Sequence, residues 1–291
     1  MGFLTKSQIA LQLIDQSTRD GITVKGWTFD ENYGRDGQFL DGLDERNLAF
    51  VGEVPPTSRL WMHKPKVLQK PPRNKVGWRK KHPRLANRDR VGNEIRNLAR
   101  YSPLFREQTP QRYRVGDSHK GPELWDVQWH TCYRRTQDGT LVSKPCTLIV
   151  AANVRTGEVK YFLSNRVAAR GGWTVGDLLR IAFSRYKVEA CFREAKEELG
   201  WDHFECRGWV CVHRHLAVTI LAQLFCARVR HRLCRSETVT DAERLTLEQV
   251  RRAADVFIAS MDLPRRARWR RYHAECDRIQ YHQTRNALAA E

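Results

Sequence analysis

The order of hydrophobic and polar positions changes character several times along the chain. Leu4, Ile9, Leu11, Leu13 and Ile14 recur with helical spacing behind the cap residue Thr5, and Asp20-Gly21 ends the run, so a first helix is predicted there. Residues 22–29 (ITVKGWTF) are rich in β-branched and aromatic side chains, which predicts a strand ending at Asp30. Residues 37–46 read as a helix and 48–54 (LAFVGEV) as a second short strand closed by Pro55-Pro56. The opening 55 residues are therefore α-β-α-β, two strands joined by a crossover helix. From 55 to 114 the periodicity fades into a proline-spotted loop or insertion with one helix at 92–100. Strand-like runs at 124–134, 147–154 and 158–164, parted by the turn pairs Asp138-Gly139 and Thr156-Gly157, predict a small antiparallel sheet. Helices at 176–199, 212–233, 246–261 and 269–285 follow, and no internal repeat is visible.

Composition narrows this picture. The chain has 291 residues, 41% hydrophobic and 29% charged, which is a globular balance and excludes disorder throughout. The longest apolar stretch, 216–227, is interrupted by Thr219 and Gln223 and falls short of the roughly 20 residues of a membrane span. It is predicted as a buried helix, and no membrane partner is expected. Eight cysteines are scattered without a CxxC pair, which fits a reducing compartment and no disulfide framework. Cys206, Cys211, His213 and His215 have the spacing of no common closed zinc site, and the two histidines fall on different faces of a helix.

Charge adds a partner. Lys plus Arg number 51 against 33 Asp plus Glu, for a formal charge of +18, so a polyanion is expected. Residues 64–90 hold eleven Lys or Arg and one acid, Asp89. Arg265, Arg266, Arg268, Arg270 and Arg271 bracket Trp269 in a second cluster. Basic clusters with aromatics suit phosphate neutralisation and base stacking; a solvated loop and a charged tail are the alternative. Trp78 and Trp269 are the stacking candidates, whereas Trp27, Trp125, Trp129 and Trp173 sit in core-like contexts.

Two carboxylates carry the chemistry. In residues 180–200 (RIAFSRYKVEACFREAKEELG) Arg185, Glu189, Phe192 and Lys196 share one helical stripe with Leu178, so charges are predicted on a core-facing side. Such charges are costly unless paired or bound to metal, and an i,i+4 Arg185–Glu189 pair at the core rim satisfies the same pattern. Asp30 stands at the C-terminal end of a predicted strand, where α/β sheets gather their sites, and an N-cap explains it equally well. Taken together, the two suit a hard divalent cation for phosphoryl transfer.

Residues 28–55 (TFDENYGRDGQFLDGLDERNLAFVGEVP) resemble the second-aspartate block of bacterial insertion-sequence DDE transposases. Arg185, Glu189 and Lys196 match that group's tyrosine, two, arginine, three, glutamate, six, lysine spacing, with Ala182 in the tyrosine position. RTGEVKYFLSN, GWDHFECRGW, HRHLAVTILA and the tail WRRYH, with Tyr281 and Arg285 beyond it, are similar to the group as well. The resemblance implies an α/β (mixed) fold, a partial ribonuclease H-like core with an antiparallel β insertion and a helical C-terminal region. On that basis residues 1–55 are expected to be core, 56–170 the basic loop and β-rich insertion, 171–235 the glutamate helix with packed core helices, and 236–291 a basic helical tail.

The same resemblance implies Mg²⁺ or Mn²⁺ held by Asp30 and Glu189, with Arg185 and Lys196 steadying DNA phosphates. Water then attacks the transposon-end phosphodiester, and the freed 3′-hydroxyl attacks target DNA. Lys80 and Lys81 in the first basic cluster and Arg270 and Arg271 in the second are candidate DNA contacts. The expected partner is double-stranded DNA at transposon ends and target, in a bacterial, cytoplasmic, nucleoid-associated setting, and a homodimer is compatible. The family's first aspartate belongs on a strand ahead of the first helix, where this sequence begins; Asp15 and Asp20, on or just after that helix, are poor substitutes. The chain is therefore expected to be a C-terminal portion of a transposase, inactive alone, with a non-catalytic DNA-binding relic or regulator as the alternative.

Overall fold

The computed structural model describes residues 3–68, 83–87, 91–118, 121–137, 141–168, 171–233 and 245–290. The chain divides at Arg185 and Tyr186 into two compact units.

In the first unit, α1 (Lys6–Arg19) begins at Thr5, whose hydroxyl accepts from Gln8 N while the Gln8 side chain returns to the Thr5 N–H. This reciprocal cap satisfies two otherwise orphaned donors. Asp20 closes the helix, and Gly21 turns the chain at φ 78°. The strand expected at 22–29 is shorter in fact: Ile22 and Val24 lie exposed, and only Trp27 to Phe29 pair. Trp27 N donates to Ala49 O at 2.8 Å, Val51 N to Trp27 O at 2.9 Å and Glu53 N to Phe29 O at 3.1 Å, a parallel ladder against β1 (Val51–Glu53). Between these segments run the short α2 (Glu31–Gly34) and α3 (Gly37–Glu45), so the strand–helix–strand order holds.

After β1 come β2 (Arg59–Trp61), the two-stranded pair β3 (Val67–Leu68) and β4 (Arg84–Leu85), then β5 (Asn93–Glu94), α4 (Ile95–Tyr101) and α5 (Pro103–Glu107). β6 (Gln111–Ser118) begins within the stretch read as loop, a strand the fading periodicity did not reveal. β7 (Gly121–Arg134), β8 (Cys146–Asn153) and β9 (Val159–Ser164) form the expected antiparallel sheet. The β8–β9 turn carries Gly157 at φ 72°, with Asn153 Oδ1 accepting from Arg155 N and Thr156 N. Asp138-Gly139 lies outside the described residues. The strands form one seven-stranded sheet in the order β1-β9-β8-β7-β2-β5, with β6 also on β7. β1 is thus joined directly to strands from the 56–170 segment.

This sheet is buried on both faces. Phe50, Leu148 and Leu163 point into a core with Phe29, Phe39, Leu43, Ile95, Leu98 and Phe105, beneath α1, α3, α4 and α5. Val51, Ile149 and Phe162, one residue away in each strand, point into a second core with Trp125, Val127, Leu178 and Leu179, beneath α6 (Val175–Ser184). A strand covered on both sides reads as a continuous apolar run, as in TLIVAA of β8. The result is a mixed α/β fold in three layers, consistent with a partial ribonuclease H-like core.

The second unit is helical: α7 (Tyr186–Leu199), α8 (Trp209–Leu233), α9 (Leu247–Ala259) and α10 (Arg265–Ala290). Its small core joins Cys226, Leu247 and Val250 with Leu199, Val229 and Leu245. Ion pairs cross between helices, Glu198 to Arg251 at 3.2 Å and Glu275 to Arg252 at 3.2 Å. The helix predicted over 176–199 is two helices. Ser184 Oγ donates back to Ile181 O at 2.7 Å, and Arg185 N reaches only the Ala182 carbonyl, at 3.5 Å. A hydroxyl competing for a helical carbonyl favours such an end. The apolar residues of α8 fall all round rather than on one face, so it is not the buried helix expected: Val218, Leu221 and Phe225 are exposed. By length and composition alone α8 is apolar enough to span a membrane.

Gly34 packs so closely that an added Cβ would lie 1.9 Å from the Glu53 carbonyl oxygen, whereas one at Gly208 would meet nothing within 4 Å. Gly34→Ala is expected to lower stability in urea unfolding by about 1–3 kcal/mol, the cost of overpacking against backbone, and Gly208→Ala to cause no loss.

Candidate functional site

Asp30 is placed by the parallel ladder that ends at Phe29, and its side chain caps α2. Oδ1 accepts from Asn32 N at 3.1 Å and Tyr33 N at 3.3 Å, and Oδ2 accepts from Asn32 Nδ2 at 3.3 Å. The sequence left strand-end site and N-cap both open; the cap is what the geometry contains. Asp36 does the same for α3, accepting from Gln38 N at 2.9 Å, from Phe39 N and from the Ser7 hydroxyl of α1. Aromatic edges hold this corner, with the Phe29 and Phe39 rings 5.1 Å apart at 83°.

Beside it lies a network the sequence did not announce. Arg134, at the end of β7 and 5% exposed, reaches Asp41 at 2.5 Å and Asp44 at 2.6 Å on α3. Burial alone would lower the arginine pKa, but the two carboxylates raise it above its ordinary value. The other Asp44 oxygen accepts from Asn165 Nδ2 at 2.8 Å, and Asn165 Oδ1 accepts from Phe50 N at 3.0 Å. This chain of bonds ties α3 to β7 and to the end of β9. The available signal was an arginine closing a strand whose preceding residues include the apolar Trp125, Val127, Trp129 and Cys132. Asp15, a poor substitute for the first aspartate on its position in the sequence, is held by Arg46 at 2.7 Å and 2.8 Å, and that hydrogen bonding lowers its pKa. Cys132 and Cys146 face one another across β7 and β8; burial pushes Cys146 up to about 11 and Cys132 up as well, so neither serves as a thiolate at neutral pH.

In the second unit, the stripe predicted to face inward faces out. Glu189, Phe192 and Lys196 are exposed, and Ala195, 3% exposed, is the buried position of α7. Leaving Glu189 and Lys196 hydrated avoids the desolvation that an inward stripe would impose. Phe192 stacks on Trp201 at 5.1 Å. Arg185 ends α6, and Ala182, in the position of the expected tyrosine, is buried against that helix's own core. His215 donates from Nε2 to Gly200 O at 2.9 Å, and His213 meets the Trp209 ring edge-on. Arg270 and Arg271 are exposed on α10; Arg270 lines a shallow concavity of about 730 Å³ with Arg265, Arg266 and Trp269. Lys80, Lys81 and Trp78 lie outside the described residues.

Residues 1–116 match the family described as DDE superfamily endonuclease. Over this stretch the chain is similar to DDE superfamily endonucleases. No curated protein matches it. The match takes in α1 to α5, Asp30 included, and ends inside β6; Glu189 lies beyond it. For a DDE-type chain the family brings nuclease chemistry on DNA and, as a rule, divalent metals. Asp30 belongs to the first unit and Glu189 to the second; the Asp30 carboxylate accepts three hydrogen bonds within its own unit, and among the described residues no group of three or more His, Cys, Asp or Glu could hold a metal ion.

Two variants separate structure from chemistry here. Asp30→Ala is expected to cost about 1 kcal/mol of unfolding free energy through loss of the cap, and Asp30→Asn, which retains a capping oxygen, a few tenths, as read from thermal or urea melts. Arg134→Met would strand Asp41 and Asp44 beside an apolar neighbour, and its melt should show a loss of about 3–5 kcal/mol.

Proposed function

We propose that this DDE-type chain acts on double-stranded DNA in insertion-sequence transposition, binding transposon-end and target duplexes through its basic surfaces. The observation that carries the proposal is the family match over residues 1–116, which includes Asp30. Supporting it are a charge of +18 and a cluster of exposed arginines around an exposed Trp269. Asp30 and Glu189 are proposed as the second and third carboxylates of strand cleavage, and Arg185 and Lys196, with Lys80, Lys81, Arg270 and Arg271, as phosphate contacts. Mg²⁺ or Mn²⁺ and a nucleoid setting belong to the same proposal.

A second reading has its own observation. With no three-residue metal set among the described residues, the chain by itself binds DNA without cutting it, as a relic or regulator of transposition. Purified protein should retard a duplex, with log Kobs falling linearly against log salt. Glu189→Gln should leave that binding intact, and supercoiled plasmid incubated with Mg²⁺ or Mn²⁺ should stay un-nicked. Nicking abolished by both Asp30→Ala and Glu189→Ala would establish catalysis by this chain and overturn the second reading. Absence of duplex binding at low salt would overturn both.

A further inference from the structure

A recess of about 390 Å³ opens in the first unit where the end of α2 and the start of α3 meet β2 and the end of β7. Arg35, Arg59, Arg134 and Arg135 line it; among the described residues of its wall there is neither a carboxylate nor an aromatic ring. Its floor is apolar, formed by side chains such as Leu40, Leu60 and Leu163. None of these arginines belongs to the two basic clusters conspicuous in the sequence. β2, β7 and the segment after Asp30 bring them together from three separate parts of the chain.

Acids beside the recess contact three of its four arginines, with unequal hold. Arg134 is spoken for by Asp41 and Asp44 and acts as a fixed wall. Arg35 pairs with Glu31 at 3.0 Å, but both side chains are largely exposed, and such pairs are worth about 0–1 kcal/mol. Arg59 approaches Glu94 only to 3.8 Å, while Glu94 lies closer, at 2.7 Å, to Arg96. A phosphate can therefore displace either contact, because a guanidinium offers it a bidentate pair of charge-assisted hydrogen bonds. Low-dielectric walls around the recess strengthen that attraction relative to open surface.

Size and lining decide what kind of anion fits. The volume lies at the lower end of the range for small-ligand sites, roughly 300–1,000 Å³, which admits a sugar-phosphate unit and not a duplex. Without an aromatic platform the recess has nothing on which a base would stack. We propose that it is a subsite for a single nucleic-acid strand, holding backbone phosphate through Arg35, Arg59 and Arg135 with the sugar against the apolar floor. Recognition there is independent of base sequence, since phosphate contacts position a strand without reading it. The proposal rests on the DNA-binding reading for the identity of the polymer and deepens it by naming where one strand is held.

The test uses the full chain and two probes, a 5′-phosphorylated thymidine trinucleotide and a short duplex. The trinucleotide should bind at low ionic strength, and Arg59→Gln/Arg135→Gln should weaken it roughly tenfold or more, with a flattening of the salt slope by about 1–2. Arg100→Gln, at an arginine stacked over Tyr101, should bind as wild type. Should the double variant melt early, Arg59→Gln alone, at an exposed side chain, should still weaken trinucleotide binding several-fold. No trinucleotide binding by wild type, or equal binding by wild type and variants, overturns the recess proposal even where the duplex is bound. Trinucleotide binding lost in the variants, with no duplex binding by wild type, upholds the recess and overturns the wider DNA reading instead.

Discussion

Successive residues of β1, β8 and β9 enter two different cores, and the rest of the first unit depends on that alternation. Because Phe50, Leu148 and Leu163 face one core while Val51, Ile149 and Phe162 face the other, helices must cover both sides of the sheet. A register slip of one residue would exchange the two sets, putting Phe162 and Ile149 where smaller or differently shaped neighbours now fit. The pairing of β1 with β9 fixes β1, β1 fixes the parallel segment ending at Phe29, and that segment delivers Asp30 to the start of α2. The position of the proposed second carboxylate is thus a consequence of sheet burial.

Polar structure is layered on this apolar frame with little waste. Arg134, Asp41, Asp44 and Asn165 exchange charge and hydrogen bonds at the margin of one core, where an unpaired member would be costly. The caps formed by Thr5, Asp30, Asp36 and Thr174 each satisfy backbone donors at a helix start. Acidic residues are thereby drawn into structural duty behind the surface. Arginines such as Arg35, Arg59 and Arg135, by contrast, line the recess, where the carboxylates that meet Arg35 and Arg59 do so through exposed or long contacts.

The second unit rests on a different balance. Its buried core is small, centred on Cys226, Leu247 and Val250, and ion pairs among α7, α9 and α10 supplement it. α8 carries apolar residues on all sides, and α7 presents Glu189 and Lys196 to solvent. The break at Arg185 marks the change from a helix whose stripe of Val175, Leu178, Leu179 and Ala182 fills a core to one whose buried position is the single Ala195.

Local signals in the sequence determined much of this protein. Thr5 and Gln8 define the first helix start, Thr156-Gly157 defines a hairpin, and the apolar runs of β8 and β9 define central strands, because capping, turn geometry and two-sided burial each leave a mark within a few residues. The family block around Asp30 was legible for the same reason: its residues are contiguous. Tertiary structure decided what depends on distant partners. Residues 22–26 remain unpaired because the parallel ladder reaches only Trp27, and the stripe of Glu189 and Lys196 faces water because hydration outweighs an inward placement. Arg134 finds Asp41 and Asp44 some ninety residues away, and Arg35, Arg59 and Arg135 converge on one recess only after β2 pairs with β7. Periodicity records which way a residue faces within its own element; it carries no record of which other element that face will meet.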